Sequence, residues 1–231
     1  MMQYDRITLG RQAKELGFVR DTLEKVCRLA DVLAFMEKDP LLSDSLALKG
    51  GTAINLTILD LPRQKEPLTV LSIDYLEIFG AKIVALLNRT AARDLYDIFN
   101  LQKYGLFDES EEPLLRKCVV FYSAIAAEKA PECFTFNHIM QLAPQRIKTD
   151  LIPVLRRGEH FDLELAQKKT MEYLKSFLLP ENSRELEFWQ SFNNQEYRPD
   201  LLFSDDEFLN RVKRHPMALW KCGGRGRAAT F

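Results

Sequence analysis

Two stretches of this 231-residue chain carry side chains at spacings that suit phosphate chemistry. The first is Leu48-Lys49-Gly50-Gly51-Thr52-Ala53, which reads as a turn between a short strand and a helix. Two glycines there let the backbone approach a phosphate, and a helix N-terminus offers free N–H groups and positive potential. Lys49 supplies a neutralising charge, and Thr52 either caps the helix or touches the phosphate. The same residues also make an ordinary tight turn. The second stretch runs from Lys82 to Asp97. Asp94 and Asp97 are three apart, so on a helix both carboxylates project from one face and can share a cation or meet a partner's basic group. Arg93 and Asp97 are four apart, and a surface ion pair between them is the plain alternative.

The elements that would position these groups follow from periodicity and punctuation. Residues 18–37 repeat apolar side chains at helical spacing opposite a charged face, and Asp39-Pro40 ends the helix. Residues 46–49 and 68–73 read as short strands. Asp74 is placed to cap a helix over 74–87, with Glu77 at capping-box spacing, and Thr90 to cap one over 91–104 that stops at Gly105. From 111 onward the pattern is helical, over 112–128, 137–141, 145–156, 162–178, 182–192, 205–214 and 216–221, punctuated by prolines. The expected fold class is therefore α+β and mostly helical. A strand-containing front over 1–110 leads into an all-helical domain over 111–221, with a loose tail over 222–231.

Composition narrows the classes of function. Apolar residues make up 46% of the chain, which excludes wholesale disorder. With 32 basic against 33 acidic residues, the chain is no globally basic nucleic-acid binder. Charge is nevertheless polarised. Between 211 and 231 stand Arg211, Lys213, Arg214, Lys221, Arg225 and Arg227, with no acidic residue, and Trp220 lies among them. Cations beside an exposed aromatic ring suit single-stranded RNA, although a solvated helix face has the same composition. Arg146, Lys148, Arg156 and Arg157 form a second basic cluster. The four cysteines form no CxxC pair, and no apolar run is long enough to span a membrane, so the expectation is a soluble protein of the reducing cytoplasm.

Taken in order, Glu24-Lys25, LKGGTA, LPR at 61–63, K-x6-R-x3-RDLYD from Lys82 to Asp97 and HPMALWK at 215–221 resemble the AbiEii/AbiGii nucleotidyltransferase-type toxin family. The resemblance implies a nucleotidyltransferase-like core followed by helices, in a toxin of a toxin–antitoxin or phage-defence system. It implies nucleotide transfer from an NTP to an RNA acceptor such as tRNA, with Mg²⁺ as cofactor and a cognate antitoxin as partner. By motif, Lys49, Gly50, Gly51, Thr52 and Arg93 would bind the nucleotide. Lys82, Asp94 and Asp97 would be catalytic. Arg211, Lys213, Arg214, Trp220 and Lys221 are the candidate RNA contacts.

One part of the family pattern is missing. Nucleotidyl transfer uses a strand-borne Asp-x-Asp pair to hold Mg²⁺, and none occurs before residue 94. Ser72-Ile73-Asp74 matches only half of it. Aligning 71–82 with the family's later segment leaves a gap between about Arg63 and Leu68, as an internal deletion would. The enzyme reading therefore stands beside a second one, a catalytically dead protein that keeps RNA or antitoxin binding.

Overall fold

Carboxylates and an amide set the helix starts. Asp5 accepts from Thr8 N, Asp74 from Leu76 N, Asp162 from Leu165 N and Asn182 from Glu185 N, while Asp39 accepts from both Leu41 N and Leu42 N. Each side chain satisfies N–H groups that the first helical turn leaves unpaired. The computed structural model describes residues 5–48, 50, 71–204 and 206–223, the side chains of 206 and 207 apart.

Among these residues the helices are α1 (Arg6–Leu16), α2 (Arg20–Lys38), α3 (Pro40–Ser45), α4 (Tyr75–Asn88), α5 (Ala92–Lys103), α6 (Glu112–Ala126), α7 (Asn137–Met140), α8 (Leu163–Leu178), α9 (Ser183–Asn193), α10 (Asp206–Lys213) and α11 (Pro216–Gly223). None is long and apolar enough to cross a membrane. The mostly helical expectation holds. The strands do not extend: Leu48 and Ser72 form one isolated parallel bridge, with Leu48 N donating to Leu71 O at 2.7 Å. Lys49 and residues 51–70 lie outside the described residues, and with them the end of the first expected strand and the first half of the second.

Three local expectations change. Glu77 does not close a capping box on α4; its carboxylate accepts from Tyr122 Oη at 3.1 Å and pairs with Arg211 Nε at 2.9 Å. Thr90 does not cap α5, whose N-cap is Ala91 with no side-chain bond. The helix expected at 145–156 breaks into an α turn at Pro144–Arg146, a π turn at Ile147–Leu151 and a 3₁₀ turn at Ile152–Val154. Pro153 accounts for the break, since it brings no N–H and its ring collides with the carbonyl four residues earlier.

One hydrophobic cluster runs from Leu76 to Ala218 and takes in α4 to α11. Helices α4 and α6 approach so closely that a Cβ on Gly80 would lie 2.6 Å from Cys118 Cβ. Trp189 of α9 is buried against them, its indole N–H donating to Val120 O at 2.9 Å. Helices α1 and α2 enclose a smaller cluster of Leu9, Ala13 and Leu23. They are tied to the 150s turns where Arg157 N donates to Gly17 O at 2.6 Å and Thr22 Oγ1 to Pro153 O at 3.2 Å.

Candidate functional site

Helix α4 is apolar on nearly every side, with Phe79, Ile83, Val84, Leu86 and Leu87 all buried. A lysine there has little water to solvate it, and Lys82 is only 10% exposed. Its ammonium is met by the first two turns of α5. Lys82 Nζ lies 2.8 Å from Asp94 Oδ1 and 2.6 Å from Asp97 Oδ2. The three-residue spacing that puts both carboxylates on one face thus works as expected, and the shared cation is Lys82. Arg93 does not pair with Asp97. Its Nε donates instead to the Asp150 carbonyl oxygen at 2.8 Å.

Arg89, in the short link between α4 and α5, completes the group. Its Nε and Nη2 donate to Asp94 Oδ2 and Oδ1 at 2.7 and 3.2 Å, a two-pronged contact that suits a planar guanidinium. Burial opposes charge on all three inner groups, and the number of partners decides the outcome. Asp94 faces two cations, and Arg89 and Lys82 overcome burial to hold it below the usual carboxylate range. Asp97 is paired with Lys82, Asp94 pushes against it and Arg93 helps least, so burial prevails and pushes it up. For Lys82 burial is outweighed by Asp97 and Asp94, which raise it.

These residues form part of the wall of an open cavity of about 600 Å³. Asp150, Thr149 and Arg146 line it too. Arg146 Nη1 donates to Asp150 Oδ2 at 3.1 Å, and Thr149 Oγ1 to Asp150 Oδ1 at 2.7 Å. Ala91 and Ala92 also line the cavity, so the uncapped N-terminus of α5 opens onto it with its positive end. Four cations against three carboxylates and a helix N-terminus make this a place for an anion, and phosphate has the charge and geometry to use it.

A divalent cation fits less well. Both carboxylates already take Lys82, Asp94 takes Arg89 too, and a metal ion would have to share them with two positive charges. Among the described residues no three His, Cys, Asp or Glu side chains converge to hold one. The described residues do not fit a resident Mg²⁺.

The other sequence candidates are placed as follows. Lys49, Gly51 and Thr52 lie outside the described residues. Gly50 has φ +82°, the left-handed backbone that glycine adopts without penalty, as a tight turn requires. Arg211 reaches Glu77 and covers the Phe208 ring at 4.4 Å. Lys221 donates to the carbonyls of Ala124 and Ala127, at the C-terminal end of α6. Lys213, Arg214 and Trp220 are exposed. None of these C-terminal residues lines the Lys82 cavity. The site also includes residues that sequence reasoning did not place in it. Arg89 had a signal, standing one link away from Asp94. Thr149 and Asp150 had none, since more than fifty residues separate them from Arg93.

Comparison with known proteins bears on what this cavity serves. The family model described as nucleotidyl transferase AbiEii toxin, type IV TA system, matches residues 58–194. That span contains every residue of the cavity and stops short of LKGGTA at one end and HPMALWK at the other. No curated protein and no solved structure matches the chain.

Proposed function

The chain belongs to the nucleotidyl transferase AbiEii toxin family of type IV toxin–antitoxin systems, and from that premise we propose that it binds a nucleoside triphosphate in the Lys82 cavity and transfers its nucleotide to an RNA acceptor. Membership in a type IV system also implies an antitoxin as partner. One observation carries the reading: Lys82, Arg93, Asp94 and Asp97, which the motif resemblance nominates, line one cavity with the start of α5 and two further arginines. In the reaction a hydroxyl oxygen of the acceptor bonds to the α-phosphorus and gives its proton to solvent, the bond from the α-phosphorus to the bridging oxygen breaks, and that oxygen leaves with pyrophosphate. The part of these residues is to bind and neutralise the phosphates, with Lys82 held in place by Asp94 and Asp97 until the ligand competes for it. A tRNA-like acceptor is the expected RNA. Lys213, Arg214 and Trp220 are its candidate contacts on the far helices, since Arg211 and Lys221 serve the fold.

The second reading is a catalytically dead member that keeps RNA or antitoxin binding. It is favoured by the pairing of Asp94 with Lys82 and Arg89 and of Asp97 with Lys82, so that both inner carboxylates of the cavity already carry a cation. One experiment separates the two. The purified chain is incubated with each α-³²P-labelled NTP, Mg²⁺ and total tRNA. Label on RNA that disappears in Asp97→Asn supports transfer. Retention of tRNA in a gel shift without any labelling supports the second reading, and the absence of both sinks the RNA assignment.

A further inference from the structure

We propose that Arg146 grips the terminal phosphate of the nucleotide and makes the cavity selective for triphosphates over monophosphates. This assignment rests on the nucleotide reading above and adds to it a residue outside every motif that suggested that reading.

The cations of the cavity differ in how they are already engaged. Lys82 is shielded and shared between two carboxylates, and Arg89 is fixed on Asp94 by two nitrogens. Arg93 spends its Nε on the Asp150 carbonyl. Arg146 is held differently. Its side chain is as exposed as that of Arg89, at 61% against 64%, but its partner among the described residues, Asp150 four positions on, is itself 38% exposed, whereas the Asp94 that holds Arg89 is 2% exposed. Exposed pairs at that spacing are weak and are screened by salt, so Arg146 is the cation most readily released to a ligand. A terminal phosphate offers what Asp150 offers, two oxygens for a planar guanidinium, with more charge.

Position supports the same role. Lys82 and the N-terminus of α5 line the cavity, and Arg146 lines it from a separate element, the turn at Pro144–Arg146. A monophosphate seated on Lys82 and α5 leaves Arg146 unused, whereas a triphosphate has the length and charge to engage more than one element of the wall. The Asp150 carboxylate, steadied by Thr149, stands in competition with the incoming phosphate. Removing it should therefore help triphosphate binding, while leaving the backbone carbonyl that holds Arg93 in place.

The test is isothermal titration of the wild-type chain, Arg146→Ala and Asp150→Ala. Each receives ATP, GTP, CTP and UTP with Mg²⁺, and then the di- and monophosphate of whichever binds best. Arg146→Ala should weaken the triphosphate roughly tenfold and the monophosphate less than about twofold. Asp150→Ala should tighten the triphosphate by about two- to fivefold, an effect opposite in sign to any loss of structure. Thermal melts check that both variants stay folded. Equal weakening of tri- and monophosphate by Arg146→Ala, or none, overturns the role of Arg146 while the nucleotide reading survives. Failure of the wild-type chain to bind any of the nucleotides overturns that reading, and this one with it.

Discussion

Lys82 Nζ lies 2.6 Å from Asp97 Oδ2, and neither side chain is more than 10% exposed, so each neutralises a charge that little water reaches. The pair spans two helices, α4 and α5. Breaking it from one side should cost more than removing it from both. Lys82→Met leaves Asp94 and Asp97 facing each other in the core, and a loss of about 3–5 kcal/mol in urea unfolding is expected. The double variant with Asp97→Asn leaves only Asp94, still paired with Arg89, and should recover part of that loss. A double variant no more stable than Lys82→Met would show that the two groups do not depend on each other.

Acid should unfold the chain partly through Asp94. Its folded pKa is depressed by Arg89 and Lys82 against the pull of burial. Its contribution to stability is therefore complete above the unfolded value of about 4, and is lost as pH falls through the folded value. Melting temperature followed from pH 6 to pH 2 should drop more steeply in the wild type than in Asp94→Asn. Asp97 is raised by burial and works in the opposite sense, adding stability as pH falls. Asp97→Asn should therefore lose more on acidification than the wild type does.

Gly80 should tolerate no side chain. A methyl group there would stand 2.6 Å from Cys118 Cβ, with the Cys118 and Val119 backbone just behind. Gly80→Ala should force α4 and α6 apart and cost about 1–3 kcal/mol, despite the better helix propensity of alanine. A chemical denaturation midpoint equal to that of the wild type would show that the two helices can separate freely.

The C-terminal basic residues should divide by experiment. Arg211→Ala removes the partner of a carboxylate that is only 4% exposed, and Lys221→Ala removes a donor to the end of α6, so both should lower the melting temperature. Lys213→Ala, Arg214→Ala and Trp220→Ala act on exposed side chains and should change stability by no more than about 0.5 kcal/mol. If this end meets RNA, those three variants weaken a tRNA gel shift in a salt-dependent way. Stable variants with undiminished binding would move the RNA contact elsewhere.

Much of the helical frame is legible in the sequence because its signals are local. Asp74 caps α4, Asp39-Pro40 ends α2, and the 3.6-residue pattern gives α8 and α9 nearly to their ends. The Asp94–Asp97 spacing likewise gives a shared cation, because three residues on a helix fix a direction in space. What the sequence conceals is long-range. Glu77 has capping-box spacing, yet Tyr122 and Arg211 come to it from 45 and 134 residues away and use it otherwise. Arg93 has a carboxylate at ion-pairing distance along its own helix and takes a carbonyl from position 150 instead. No periodicity reports such choices, since they are decided by how the helices pack.

The grip of Arg93 on a main-chain oxygen has a consequence for how this wall can be altered. Every residue has the same carbonyl, so replacing the side chain at 150 leaves the hold intact. Changing the number of residues between Pro144 and Pro153 would not, because it slides a different peptide group under the guanidinium. The cavity is thereby tolerant of chemistry along this turn and intolerant of its length, and its width is written in residue count rather than residue type.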